Sequence, residues 1–208
     1  MYSLVYNTIM NNKIQTRGRP REFDEIEVLT AAMHYFWEHG YDNTYIDDLV
    51  AAMGIKKSSF YATFKSKEEI FIRTLEFYRK HIESTLVDMK NKIGPRETLI
   101  SLAKFSVQEL QETGKVRGCL LANSASECYG AHVDLSHKVA IEFNEMRALF
   151  ASFIMEAQEK GEISTNKSQE KLTGRYLNSL NGLVVTIQSN AEQETINDII
   201  ESIEEILE

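Results

Sequence analysis

From Asp24 onward, apolar residues recur three or four positions apart, the spacing of one face of an α-helix. Ile26, Leu29, Met33, Phe36 and Trp37 make the first such stripe, and Gly40 is placed to stop it. A second, short helix is expected to be capped by Thr44, with Asp47 three residues on in a capping-box-like position. Ile46, Leu49, Val50 and Met53 form its apolar face, Gly54 breaks it, and Ser58-Ser59-Phe60-Tyr61 opens a third helix. Ser66-Lys67-Glu68-Glu69 reads as another helix start, leading into a long amphipathic stretch through Ile70, Leu75, Phe77, Tyr78, Ile82, Leu86 and Met89. Gly94-Pro95 then punctuates, with Pro95 suited to a first helical turn. Further helices are predicted near 95–112, 119–130, 137–160, 167–189 and 193–207, with breaks at Thr113-Gly114, at His132 to Asp134, at Gly161 and near Asn190. No segment alternates with the period of a strand. The expected fold is all-α, about nine helices, with three small N-terminal helices ahead of a larger C-terminal bundle.

Composition agrees with that pattern and removes several alternatives. Of 208 residues, 43% are hydrophobic and 26% charged, with 10 Gly and 2 Pro. That is too apolar for a disordered chain and too poor in Gly and Pro for a loop-rich β protein. No apolar run approaches the roughly 18 residues that cross a bilayer. The opening stretch has neither a basic flank nor a small-residue cleavage site, so no secretory leader is expected and a cytoplasmic location is. Two Cys do not make a disulfide framework, which fits a reducing compartment. Residues 1–17, polar, Asn-rich and aperiodic in their first sixteen positions, are read as a mobile arm.

The net charge of −8 argues against a protein that coats nucleic acid by bulk charge. Its distribution points elsewhere. Residues 1–75 carry 9 Lys/Arg against 10 Asp/Glu, whereas residues 76–208 carry 14 against 21. Two windows hold no acid: Lys13 to Arg21, and Lys56 to Lys67 with Lys56, Lys57, Lys65 and Lys67. Local basic windows on an acidic chain suggest a bounded contact with a polyanion.

Thr44 to Tyr61 has the layout of a helix-turn-helix, two short helices joined by a tight turn containing Gly54. Gly54 can take the left-handed conformation that ends the first helix, and Ile55 and Phe60 are expected to fill the angle against Leu49 and Met53. The third helix starts with Lys56, Lys57, Ser58 and Ser59, so its positive dipole end and its cations face the same way. Such a helix fits a DNA major groove. Arg17, Arg19 and Arg21 precede the first helix and suit a minor groove or a phosphate backbone.

The run from Gly54 to Glu69, with Gly18-Arg19-Pro20-Arg21, Phe36, Gly40-Tyr41 and Thr44 through Leu49, resembles the signature of the TetR family of bacterial transcriptional regulators. The resemblance covers about residues 18–71. It implies a DNA-binding domain over 18–66, an effector-binding and dimerisation domain over 67–208, and a repressor released from a palindromic operator by a small molecule. It also implies that Thr44 donates to a phosphate at the second helix, that Lys56, Lys57, Ser58 and Ser59 meet bases and backbone, that the Tyr61 hydroxyl binds a phosphate, and that Lys67 holds another. Val50 stands where the family usually has Ala, and Ala62-Thr63 replaces a larger polar pair, so backbone contacts and DNA shape are expected to weigh more here.

The last two helices are strongly apolar on one face. Tyr176, Leu180, Leu183 and Ile187, then Ile196, Ile200 and Ile203, are expected to form a homodimer interface, with Gly174, Ser179 and Gly182 allowing close approach. By the same resemblance, the region between reader and interface encloses an apolar or aromatic effector. Its candidate lining residues are Phe105, Cys119, Tyr129, Phe143, Met146 and Phe150, with Asn123, Ser126 and Glu127 as polar contacts. Gly118-Cys119-Leu120-Leu121-Ala122-Asn123 resembles a TetR subgroup containing electrophile-responsive repressors, which makes Cys119 the candidate reactive thiol. Lys115 and Arg117 nearby would favour its thiolate.

Other functions find less support. No nucleophile stands at recognisable spacing from a base, and no Gly-rich phosphate loop is present, so an enzyme is not expected. Cys128, Asp134, His132 and His137 lack a tight ligand spacing, and neither metal nor cofactor is expected. A helical protein-interaction module and a thiol-based redox sensor acting through Cys119 remain as alternatives.

Overall fold

A computed structural model describes residues 24–208, and the basic arm with Arg17, Arg19 and Arg21 lies outside them. Among the described residues there are nine helices and no strand: α1 (Glu25–His39), α2 (Ile46–Ala52), α3 (Lys57–Phe64), α4 (Lys67–Ile93), α5 (Pro95–Thr113), α6 (Leu120–Cys128), α7 (Val133–Glu159), α8 (Gln169–Gln188) and α9 (Gln193–Ile206). The all-α expectation holds. None of the helices is long and apolar enough to cross a membrane. The chain packs as two compact units, one running up to Ile82 and resuming over Leu120–Phe143, the other built from Glu83–Cys119 and Asn144–Glu208.

In the first unit α1 begins where Asp24 accepts the Ile26 N–H at 2.8 Å, and ends at Gly40, whose N–H donates to Phe36 O. The apolar stripe of α1 is buried as its spacing requires, with Met33 and Phe36 at 1% exposure. Phe36 meets Phe71 edge-on at 4.8 Å, and Trp37 meets Tyr78 at 5.1 Å. Ser66 caps α4 by accepting the Glu69 N–H at 3.1 Å. Arg79 of α4 pairs with Glu142 of α7 at 2.8 Å, both half-buried.

Two local expectations need correction. Thr44 does not cap α2: the residue in that place is Tyr45, with extended backbone and no side-chain cap bond. Thr44 is instead buried, and its hydroxyl donates to Gly40 O at 2.6 Å, closing the turn between α1 and α2. The break ahead of α7 also falls earlier than expected. Gly130, at φ 77°, turns the chain after α6, and α7 starts at Val133, with the Ser136 N–H already bonded to His132 O at 2.8 Å. Asp134 in its first turn favours that start.

In the second unit α8 and α9 pack on each other and both pack on α5. The fully buried Tyr176 donates its hydroxyl to Leu99 O at 2.9 Å, and burial pushes that phenol far above its ordinary range. Gln188 donates to Val116 O at 3.1 Å, and Arg96 to Leu207 O at 2.8 Å, tying the loop ahead of α6 and the chain end to the bundle. This packing changes the reading of the apolar stripes. Tyr176, Leu183, Ile187, Ile196 and Ile203 lie inside the unit's own core. Periodicity marks that a face is buried, but not whether the cover is the same chain or a copy. Of the seven residues expected at a dimer interface, Leu180 and Ile200 keep partial exposure, beside the 63% exposed Val185 and the exposed Gly182.

Candidate nucleic-acid interface

Residues 46–64 fold as two short helices about a tight turn. Met53 ends α2, and Gly54, at φ 65°, donates its N–H to Ala51 O at 3.1 Å while Ile55 N–H reaches Val50 O at 3.3 Å. Nothing lies within 4 Å of where a Cβ on Gly54 would stand, so the turn needs glycine for its left-handed backbone and not for space. Leu49, Phe60 and Phe64 are fully buried behind the turn, with the two Phe rings 5.7 Å apart. Arg73 of α4 lies over the Phe64 ring at 4.9 Å and pairs with Glu25 of α1, which locks the two helices to the adjoining pair.

This packing turns the first residues of α3 outward. Lys56 precedes the helix with extended backbone, and no acid occupies the first turn. Lys56, Lys57 and Ser58 are exposed, Tyr61 is 45% exposed one turn on, and Ser59 is half-buried. Four of the N–H groups at such a helix start have no partner within the helix, so the end is suited to an anion. Lys57 is not free of acid altogether: its ammonium stands 2.5 Å from Asp47 on the first turn of α2, and the hydrogen bond to that carboxylate raises its pKa. Tyr45, 71% exposed at the start of α2, was not among the expected residues. Its only signal in the sequence is that it falls opposite the stripe of Ile46, Leu49 and Val50.

Two residues expected at phosphates are otherwise engaged. The Thr44 hydroxyl is inside the α1–α2 turn. Lys67 holds its ammonium 4.3 Å from the centre of the Tyr41 ring and 3.5 Å from Asp42 O, and burial lowers its pKa. Tyr41 in turn has its phenol pKa raised, chiefly by burial and then by Glu68.

Glu127, expected in an effector pocket, does different work. From α6 its carboxylate accepts the N–H groups of Tyr41 at 2.8 Å and Asp42 at 3.0 Å. Next to it, His132 contacts Asp42 Oδ1 at 2.6 Å and stands edge-on to Tyr41. A Cβ on Gly40 would lie 2.6 Å from Glu127 Oε1, so here the glycine answers both a positive φ and a close approach. Nothing in the sequence links positions so far apart.

The other pocket candidates do not converge. Tyr129 is 86% exposed and Asn123 exposed, whereas Phe143 is half-buried, and all three belong to the first unit. Phe105, Cys119, Met146 and Phe150 belong to the second, where Met146 and Phe150 are buried and the Phe150 ring lies 5.6 Å from Tyr176. Both cysteines are free thiols. Cys128 is buried, and burial, aided by the charges of Glu127 and Asp42, pushes its thiol up to about 11. Cys119 is half-buried and follows Gly118, at φ 72°, directly ahead of α6. Arg117, expected to favour its thiolate, pairs with Glu109 at 3.3 Å. Among the described residues no group of three or more His, Cys, Asp or Glu is arranged to hold a metal.

Set beside known proteins, residues 28–74 match the model of bacterial regulatory proteins of the tetR family, and residues 95–203 match that of a tetracyclin repressor-like C-terminal domain. An uncharacterised HTH-type transcriptional regulator of Bacillus subtilis, YezE, is 24% identical over 186 residues, covering 88% of this chain and 96% of its own. The HTH-type transcriptional repressor ComR of Escherichia coli is 26% identical over 201 residues, covering 89% of each. Among solved structures, a cysteine mutant of the TetR family regulator CifR with 26 bp operator DNA superposes with a TM-score of 0.74 and 26% identity, over 90% of this chain and 98% of its own.

Proposed function

The chain belongs to the TetR family of bacterial regulatory proteins, a family of DNA-binding transcriptional regulators, and from that premise we propose that it is a homodimeric repressor released from a palindromic operator by a small effector. The observation that carries the DNA-binding half is the acid-free, outward-facing start of α3 held on a glycine turn. In this reading Lys56, Lys57, Ser58, Ser59 and Tyr61 make the contact, together with Arg17, Arg19 and Arg21 from the arm. Residues 18–66 form the DNA-binding domain and residues 67–208 the effector-binding and dimerisation domain. Thr44 and Lys67 act from behind, by setting the turn that aims α2.

Two copies put two α3 helices in successive major grooves, about 34–36 Å apart. The exposed side of α8 and α9, with Leu180, Val185 and Ile200, is the surface we assign to that pairing. Phe105, Met146 and Phe150 suit an apolar or aromatic effector. A coupling of about 1–3 kcal/mol between effector and operator is enough to release DNA. Carrying operator DNA places the protein in the cytoplasm, at the nucleoid. A second reading, release by a thiol-reactive electrophile, is favoured by the contrast between half-buried Cys119 and buried Cys128.

The test is selection of a duplex from a randomised library by the full-length protein, followed by gel shifts against a scrambled duplex. The expected result is a palindromic sequence bound at least about a thousandfold more tightly than the scramble. Equal binding to both overturns the reading.

A further inference from the structure

The ion pair between Asp47 and Lys57 is unusual in its position. It joins the first turn of α2 to the first residue of α3, on the side that carries Lys56, Ser58 and Tyr61. Both side chains stay open to solvent, at 74% for Asp47 and 54% for Lys57, so the pair contributes little to folding. A carboxylate there also works against any nearby phosphate. Resting on the reading of α3 as the DNA-contacting helix, we propose that Asp47 sets the sequence specificity of the reader by withholding Lys57 from phosphates.

On a non-cognate duplex a lysine gains one phosphate contact and releases one counterion. Lys57 makes that gain only by leaving Asp47 and exposing a bare carboxylate to the polyanion. On a cognate site no such exchange is needed. The pair presents one donor and one acceptor side by side, and a G·C pair shows the complement in the major groove: guanine N7 and O6 accept, and cytosine N4 donates. Lys57 then meets guanine while Asp47 meets cytosine, and the two stay together. Discrimination comes from a cost confined to wrong sequences, which is how negative selection between partners works in general. Since Ala62 and half-buried Thr63 offer few base-reading groups, this pair carries a large share of direct readout.

The experiment uses the full chain, the library-selected duplex and its scramble. Asp47→Asn and Asp47→Ser should bind the scramble more tightly. Their log–log salt dependence on it should steepen by about 0.9, the value of one added phosphate contact, which is an extra loss of about 3.5-fold between 50 and 200 mM salt. Reselection with either variant should relax one G·C position in each half-site. In a Lys57→Met background the same changes should leave the slope unmoved. An unchanged slope and an unchanged preference in both Asp47 variants overturn the proposal. So does an equal gain in the Lys57→Met background or in Asp48→Asn, because that is a plain charge effect. Should the wild-type chain enrich no duplex at all, it is the DNA-binding reading that fails.

Discussion

The Glu127 carboxylate accepts the backbone N–H of Tyr41 at 2.8 Å across 86 residues of chain. With the Asp42 N–H at 3.0 Å, it satisfies two donors in a turn that has no other way to bury them. The turn sets the angle at which α2, and through it α3, leaves α1. Glu127→Ala should therefore cost about 1–3 kcal/mol, the penalty for stranding partly buried donors, measured as a shift in urea midpoint. Gly40→Ala should cost a similar amount, because φ 76° and ψ 177° belong to glycine and the new methyl would meet Glu127. The double variant should lose less than the two losses added, since the methyl introduced by Gly40→Ala already displaces the carboxylate. Strict additivity would mean that Glu127 does not hold this turn.

Thr44 and Tyr61 separate folding from DNA contact. Thr44→Val removes a buried hydrogen bond to Gly40 O and should cost about 1 kcal/mol of stability, with an unchanged salt slope for operator binding. Lys56→Met should leave the melting temperature within about a degree and reduce that slope by about 0.9. Tyr61→Phe should weaken operator binding without destabilising the protein, because the 45% exposed ring still covers Phe60 while its hydroxyl is gone. A Thr44→Val protein that melts normally but releases DNA would assign the hydroxyl to phosphate after all.

Much of this site is legible in the sequence, and the rest is not, for identifiable reasons. The stripe from Ile26 to Trp37, the stop at Gly40 and the turn at Gly54 follow from local periodicity and backbone preference, and all three are in place. Thr44 departs from its expected role because Ser, Thr, Asp and Asn favour both helix caps and turns, and here the hydroxyl serves the turn. The Glu127 latch, the His132–Asp42 contact and the Asp47–Lys57 pair depend on tertiary approach, which composition and spacing do not encode. The apolar stripes of α8 and α9 are legible as buried, but their cover is not: Tyr176 and Ile203 face their own bundle.

That correction makes the dimer surface testable. Leu183→Ala should cost about 2–5 kcal/mol, as a fully buried leucine does, and should act on folding. Val185→Glu should leave the melting profile of a dilute monomer nearly unchanged while shifting sedimentation toward the monomer, because Val185 is 63% exposed in the single chain. A Val185→Glu protein that stays dimeric at low concentration would move the interface elsewhere.

The two thiols should behave oppositely. In native protein near neutral pH, iodoacetamide should modify Cys119 well before Cys128, and the second thiol should react only after denaturation. The buried Cys128 also gives stability a defined alkaline limb. Its thiol sits near 9.0 in an ordinary setting and is pushed up to about 11 in the folded chain. Below 9 both states hold the proton and the contribution is fully present. Between 9 and 11 the unfolded chain ionises while the folded one stays protonated, so stability falls as pH rises, by about 2–3 kcal/mol in total. Cys128→Ala should flatten that limb in urea melts taken from pH 8 to 11 and should leave any effector response through Cys119 intact. An alkaline limb as steep in Cys128→Ala as in the wild type would assign the loss to another group.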